Sequence, residues 1–386
     1  MRRFVVLLAL SLVASASVGA TFLTNDITTI QQIRGREFVR EVTRKTILRE
    51  TLRETLRMQM EKGLTLPPAD YVLSLRALHL LGDQEQPLER LLDLYEAQVL
   101  AFYDPAEHVY YAIDKPPAAA GDVASLLHSA ISVHELTHAL QDQVFDAGTK
   151  LESLRNDWDR QLAYHAVLEG EATLVMLAAM FQPVGKSIDD LIQDDSLMNA
   201  MTMSGAMSAG IPPEAPPYFV SAMKFPYVDG LRFVIAAYRK GGWGAIDRLH
   251  ESPPMSTEQI LHPELYDSDL PPAAATRSVE EPNGDALVHG SLGEFHWRYL
   301  LGNKAAAGWG GDKVEVFQDR KKRTTVIAAT KWDSEEDAEE FAEAYKKLLA
   351  KKGEKPRFAV DGVDVVVGYG ADRKLIERRV NHRASR

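Results

Sequence analysis

Two histidines four residues apart, His134 and His138, sit in a long apolar stretch and are separated by Glu135, Leu136 and Thr137. No other feature constrains the fold of this chain as strongly. Residues four apart on an α-helix share a face, so both imidazoles can reach one ion, and Glu135 lies beside them. Leu126, Leu127, Ala130, Ile131 and Val133 before the motif, and Ala139 and Leu140 after it, supply a helical stripe that neither Pro nor Gly interrupts over 123–145. Imidazole nitrogen suits Zn2+, the predicted cofactor, and Glu135 stands where it can serve a metal-activated water as general base. Two imidazoles leave a catalytic zinc one protein ligand short, so a second element must bring the third.

The next helical stretch, about 155–181, carries His165, Glu169 and Glu171 in YHAVLEGEATLVM. Ionisable groups in so apolar a run are costly unless paired or metal-bound. Glu169 and His165 share a face with Met176 and, more loosely, Thr173, whereas Glu171 points elsewhere. Spacing favours Glu169 only if that face looks at the first helix, so Glu171 and His165 stay open as third ligand.

The chain has 386 residues, 45% apolar and 26% charged, enough for one large or two modest cores. A net charge of −11 argues against a nucleic-acid partner, because phosphate contacts need concentrated Lys and Arg. The absence of Cys excludes disulfides and thiolate ligands. Arg2 and Arg3, the apolar run FVVLLALSLVASA and the small residues Val18-Gly19-Ala20 have the build of a secretory signal peptide cut after Ala20. An exported protein, periplasmic or extracellular, is therefore expected, with no stable membrane insertion after cleavage.

The patterning predicts an α+β chain. Signal residues 1–20 precede an N-terminal helical region over 21–84, with a short strand within 36–48 and helices at 48–63 and 69–81. Residues 85–302 form the expected catalytic domain. It begins with a helix at 86–100 and a hairpin, VLAFYDPAEHVYYAI, turning at Asp104-Pro105-Ala106-Glu107, whose second strand (108–113) is expected at a sheet edge able to pair with an extended peptide. Helices are predicted at 123–145, 155–181, 218–239, 243–250 and 287–301, with a weaker Met-rich helix at 186–208 and an extended connection over 251–285. Residues 303–386 read as a small C-terminal α/β-type module: strands VEVFQD and TTVIAAT, a charged amphipathic helix capped by Ser334 with Asp337, and a hairpin in RFAVDGVDVVVGYG.

The paired helices resemble the gluzincin group of metallopeptidases, in which H-E-x-x-H precedes a helix carrying a ligating Glu. In the aminopeptidase branch that Glu begins an E-G-x-A sequence, matched here by Glu169-Gly170-Glu171-Ala172. The resemblance implies a mostly helical zincin-like core, His134, His138 and Glu169 as zinc ligands, Glu135 as catalytic base and a peptide or polypeptide substrate. Two departures stand out: the interval from His138 to Glu169 is 31 residues, longer than usual, and Thr173 occupies the place of an Asp that often supports a ligand histidine. That support must come from Thr173, Glu171 or a backbone carbonyl. Over about 85–310 the chain also resembles uncharacterised bacterial secreted proteins with H-E-L-T-H-A-L-Q-D-Q, F-Y-D-P and E-G-[DE]-A-T stretches. Tyr227, His289 and His296 are candidate donors to a developing oxyanion. Two rival readings are hydrolysis of a non-protein amide, such as a cell-wall peptide, and a non-catalytic binding protein with a vestigial zinc site.

Overall fold

The structure, a computed structural model, describes residues 21–114, 122–193, 210–266 and 286–381. The expected signal peptide and most of the Met-rich segment lie outside them. The elements begin with α1 (Thr21–Arg34), β1 (Thr43–Ile47), α2 (Arg49–Gly63), α3 (Pro68–Ala77) and α4 (Pro87–Gln98). The hairpin strands β2 (Ala101–Asp104) and β3 (Val109–Ile113) lead to α5 (Asp122–Phe145), α6 (Ala147–Ser153), α7 (Trp158–Phe181) and α8 (Ile188–Gln193). Then come α9 (Pro217–Glu251), α10 (Thr257–Leu261), α11 (Pro263–Tyr266), β4 (Ala286–Gly290), α12 (Gly293–Leu301) and α13 (Asn303–Ala306). The chain ends with β5 (Trp309–Gln318), β6 (Thr324–Trp332), α14 (Glu335–Lys351), β7 (Arg357–Asp361), β8 (Asp364–Gly370) and α15 (Arg373–Asn381).

These elements divide into two compact units, each assembled from separated stretches. One runs to Leu64 and continues through Gln86–Ser153 and Ala163–Pro253; the other comprises Thr65–Glu85, Leu154–Leu162 and Pro254–Arg386. This division differs from the contiguous one expected at 84/85 and 302/303. Residues 254–302 are grouped with the C-terminal sheet, and β4 pairs with β5 from within a stretch read as helix. Such long-range pairing leaves no local signature in the sequence.

The first unit is built on a three-stranded sheet of order β1-β3-β2. Strand β3 is central, parallel to β1 and antiparallel to β2, which corrects the expectation of a free edge over 108–113. Composition explains the placement in retrospect: VYYAI is apolar on both faces, as a doubly covered strand must be, while TRKTI carries charges suited to an edge. The hairpin itself forms where expected, with Asp104 Oδ1 accepting from Ala106 N (2.9 Å) and Glu107 N (3.2 Å). Alternation along the strands feeds two cores. Ile47, Phe102 and Ile113 meet Leu52, Leu56 and Leu92 of α2 and α4. Ala101, Tyr103, Tyr110 and Ala112 meet Ile30 of α1 and Ile131, Val133, Leu136 and Leu140 of α5. Helix α5, with the histidine motif, is thus laid on the sheet.

Helix α7 is long and apolar enough to cross a membrane by composition, yet Ala166–Val175 are all buried within the protein. It meets α9 backbone to backbone: a Cβ on Gly170 would lie 2.4 Å from the carbonyl oxygen of Gly230, and one on Gly230 would lie 2.2 Å from that of Ala166. Helix α9 breaks at Gly241 and Gly242, the latter at φ 58°, which separates the two helices expected at 218–239 and 243–250.

The second unit contains a five-stranded antiparallel sheet of order β4-β5-β6-β8-β7. Phe317, Ile327 and Val366 pack on Leu375, Ile376 and Val380 of α15. Helix α14 presents Ala338, Phe341, Tyr345 and Leu349, a stripe at helical spacing, and rings of Trp297, Trp332 and Tyr369 close on it at 4.5–6.2 Å. Part of the connection expected over 251–285 is helical, as α10 and α11. Thr257 in that stretch gives both its N–H (2.9 Å) and its hydroxyl (2.6 Å) to the buried Asp159. Asp312 accepts from Leu292 N, Gly293 N and the indoles of Trp297 and Trp309, fixing the start of α12.

Candidate metal centre

His134 and His138 project from one face of α5 with their Nε2 atoms 3.2 Å apart. Glu169 comes from α7 and brings Oε2 to 3.0 Å from His134 Nε2 and 3.5 Å from His138 Nε2. One ligand atom from each lies within 4.8 Å of the others, and all three side chains are buried. Three lone-pair donors aimed at one point repel each other unless a cation or proton lies among them. The group can therefore hold a metal ion, and its donor set fits one.

Of the three candidates for third ligand, only Glu169 joins the imidazoles. His165, about a quarter exposed, contacts its other oxygen, with Nε2 3.0 Å from Oε1. Glu171 turns to the opposite side, where it accepts from Arg34 Nε (2.5 Å), His250 Nε2 (2.6 Å) and Gln141 Nε2 (2.7 Å). Arg34 and His250 hold its carboxyl well below the usual range against the opposing effect of burial. The support for a ligand histidine comes from a residue that the motif reading passed over: Gln141 Oε1 lies 2.8 Å from His138 Nδ1. Its position three residues after His138, on the same helix face, was the available signal. Thr173 makes no such contact; its hydroxyl is buried and has no hydrogen-bond partner among the described residues.

Glu135 is fully buried beside the three donors. Its Oε2 accepts from the backbone N–H of Tyr103 (3.0 Å), whereas Oε1 has no hydrogen-bond partner among the described residues. With no cation among the donors, burial pushes its carboxyl up to about 8; the nearby charge of Glu169 adds to this, and His138 and the Tyr103 N–H oppose it, as would a cation held by the three donors. Strand β2 is pinned for this contact by its own side chain, since Tyr103 Oη donates to Asp142 of α5 at 2.9 Å. Tyr227, from α9, lays its ring along His134 with centroids 5.9 Å apart and an interplanar angle of 21°. The other two candidate donors belong to the second unit. His289 pairs with Glu315 at 3.1 Å, and His296 is buried, with Nδ1 2.5 Å from Leu292 O and its pKa lowered to about 4 by burial.

Residues 276–381 match the model of a domain of unknown function (DUF8575). No curated protein and no solved structure matches the chain. The match covers the sheet of the second unit and stops short of the histidine motif, so the chemistry of the centre is read from its own residues.

Proposed function

We propose that the first unit is a zinc-dependent peptide hydrolase of gluzincin type, exported from the cell, with His134, His138 and Glu169 holding the metal and Glu135 acting as general base. One observation carries this reading: beside a buried donor set of two imidazoles and a carboxylate stands a second carboxylate, with one oxygen held by a backbone N–H and the other unpartnered. Four-coordinate zinc with ligands at about 2.0–2.2 Å spaces its donors roughly 3.3 Å apart, close to the separations among the three donors. Three ligands of N, N and O type, with no sulfur, are the composition of catalytic zinc sites and not of the sulfur-rich structural ones.

When bound, the metal supplies Lewis-acid polarisation of a carbonyl and acidification of a water. Glu135 Oε1 is the atom placed to take the proton of the attacking water and pass it to the departing amine nitrogen. Its other oxygen stays on the Tyr103 N–H, which holds the carboxylate plane in one orientation throughout. Tyr227, the one oxyanion-donor candidate beside a ligand, confines the His134 side of the centre. Glu169 keeps one oxygen for the metal because His165 occupies the other.

The test is zinc content and cleavage of an unfolded protein by the full chain lacking residues 1–20, beside Glu135→Gln. One zinc per chain in both, with cleavage by the unaltered protein alone and a loss of at least about 100-fold in the variant, is the expected result. Equal cleavage by both proteins removes Glu135 from the mechanism, and absence of zinc after metal-replete purification removes the centre.

A further inference from the structure

Behind His138 a buried relay leads to the N-terminal helix. Gln141 Nε2 donates to Leu168 O (3.0 Å) and to Glu171 Oε2 (2.7 Å). Both partners are acceptors, so the amide fits one way round only, with Oε1 toward His138 Nδ1. An acceptor at Nδ1 requires the imidazole hydrogen there and leaves the Nε2 lone pair free, the form in which histidine binds a metal. Leu168 O and Glu171 together thereby select the tautomer of a ligand that neither touches. Without Glu171 the amide would keep one of its two acceptors, and the hold on Nδ1–H would be weaker.

Glu171 is itself held by Arg34, the last residue of α1, whose side chain is 1% exposed. The guanidinium donates Nε to Glu171 at 2.5 Å and Nη2 to Asp247 at 2.8 Å, and lies 4.3 Å from the centre of the Trp243 ring. Of the groups around Glu171, only Arg34 carries a permanent charge; Gln141 is neutral and His250 is charged only when protonated. A carboxyl group this deeply buried is kept in place by such a partner.

We infer that Arg34 is a positioning residue for the metal centre, holding Glu171 and, through Gln141, the Nδ1–H form of His138, so that helix α1 is part of the metal-binding apparatus. The inference rests on the zinc-binding reading above and extends it to a segment just beyond the expected cleavage site. It follows that residues 21–34 are not a propeptide that can be lost without harm to the centre.

The experiment measures the zinc dissociation constant by chelator competition in the chain lacking residues 1–20, beside Arg34→Met, Arg34→Lys and Arg53→Met. Arg53 serves as control because it also bonds several carboxylates, Glu89, Asp93 and Glu96, but none that leads to the centre. Arg34→Met should weaken binding about 10–100-fold, the usual cost of losing an outer partner of a ligand. Arg34→Lys should recover part of the loss, and Arg53→Met should match the unaltered chain. Long-range 1H–15N correlation spectra of the zinc-loaded protein should show His138 protonated at Nδ1, with that proton exchanging faster with solvent in Arg34→Met. Zinc binding by the unaltered chain with Arg34→Met within twofold overturns this inference alone, whereas no zinc binding by the unaltered chain removes the centre and the inference with it. If Arg34→Met does not fold, the zinc-loaded spectrum of the unaltered chain decides, and a His138 bound through Nδ1, or lacking a slowly exchanging Nδ1–H, overturns the inference.

Discussion

At the scale of single residues, the centre depends on groups chosen for size as much as for chemistry. Gly170 sits between Glu169 and Glu171, one facing the metal donors and the other facing Arg34. It has no side chain because the backbone of α9 at Gly230 occupies that space. The glycine of the E-G-x-A match is thus explained by helix contact here, not by any contact with a ligand. Gly170→Ala would place a methyl 2.4 Å from a backbone oxygen, and α7 and α9 would have to part. We expect a loss of about 1–3 kcal/mol in urea unfolding, the range for an overpacked core, together with weaker metal binding as Glu169 and Tyr227 shift. Unchanged stability would mean that the two helices do not meet as described.

At the scale of elements, termini and strand edges are set by local hydrogen bonds that can be tested one at a time. Helix α14 starts at Ser334, which accepts from Asp337 N at 3.2 Å, with Glu335, Glu336 and Asp337 in the first turn. Ser334→Ala should cost roughly 1 kcal/mol, read as a lower urea midpoint with an unchanged slope. A cost near zero would show that the aromatic stripe alone sets the start of the helix. Strand β2 has a different role. Its Tyr103 is fixed to α5 by the hydroxyl on Asp142 and holds Glu135 by its N–H, so one residue couples the sheet to that carboxyl group.

At the scale of the whole molecule, one carboxyl group in each unit contributes to stability with the opposite dependence on pH. In the first, hydrogen bonds from Arg57 and then Arg53 lower the Glu89 carboxyl to about 2. A lowered carboxyl stabilises the fold above its unfolded pKa near 4.5, and that stabilisation is lost as pH falls toward 2. In the second, burial pushes Asp159 up to about 8, with Thr257 opposing. The folded form then keeps a proton that the unfolded chain releases near pH 3.8. Its contribution is full at low pH and disappears as pH rises toward 8. Hydrogen exchange of β6 and β8 should therefore quicken from pH 4 to 8 beyond the intrinsic rate, and Asp159→Asn should remove much of that slope. An identical slope in the variant would show that Asp159 does not keep its proton in the fold.

Much of the centre was legible in the chain itself. The i, i+4 histidines, the apolar stripe around them, the acidic residues of the next helix, the Asp104–Glu107 turn and the Ser334 cap depend on neighbours within a few residues, and local periodicity records those. The α+β class followed from the same patterns. Other features needed the tertiary structure. That β3 is central and not an edge depends on a parallel pairing with β1, more than sixty residues away in sequence. That β4 belongs to the second sheet, and that this unit draws in 65–85 and 154–162, likewise depends on partners that no local window contains. The choice among Glu169, Glu171 and His165 depended on how α7 is turned, which Gly170 and Gly230 set by letting two backbones touch. Sequence determined which chemistry was on hand, because spacing on one helix is a local property. Only the packing of separate helices and strands decided which groups meet, because that is settled by the shapes they bury against one another.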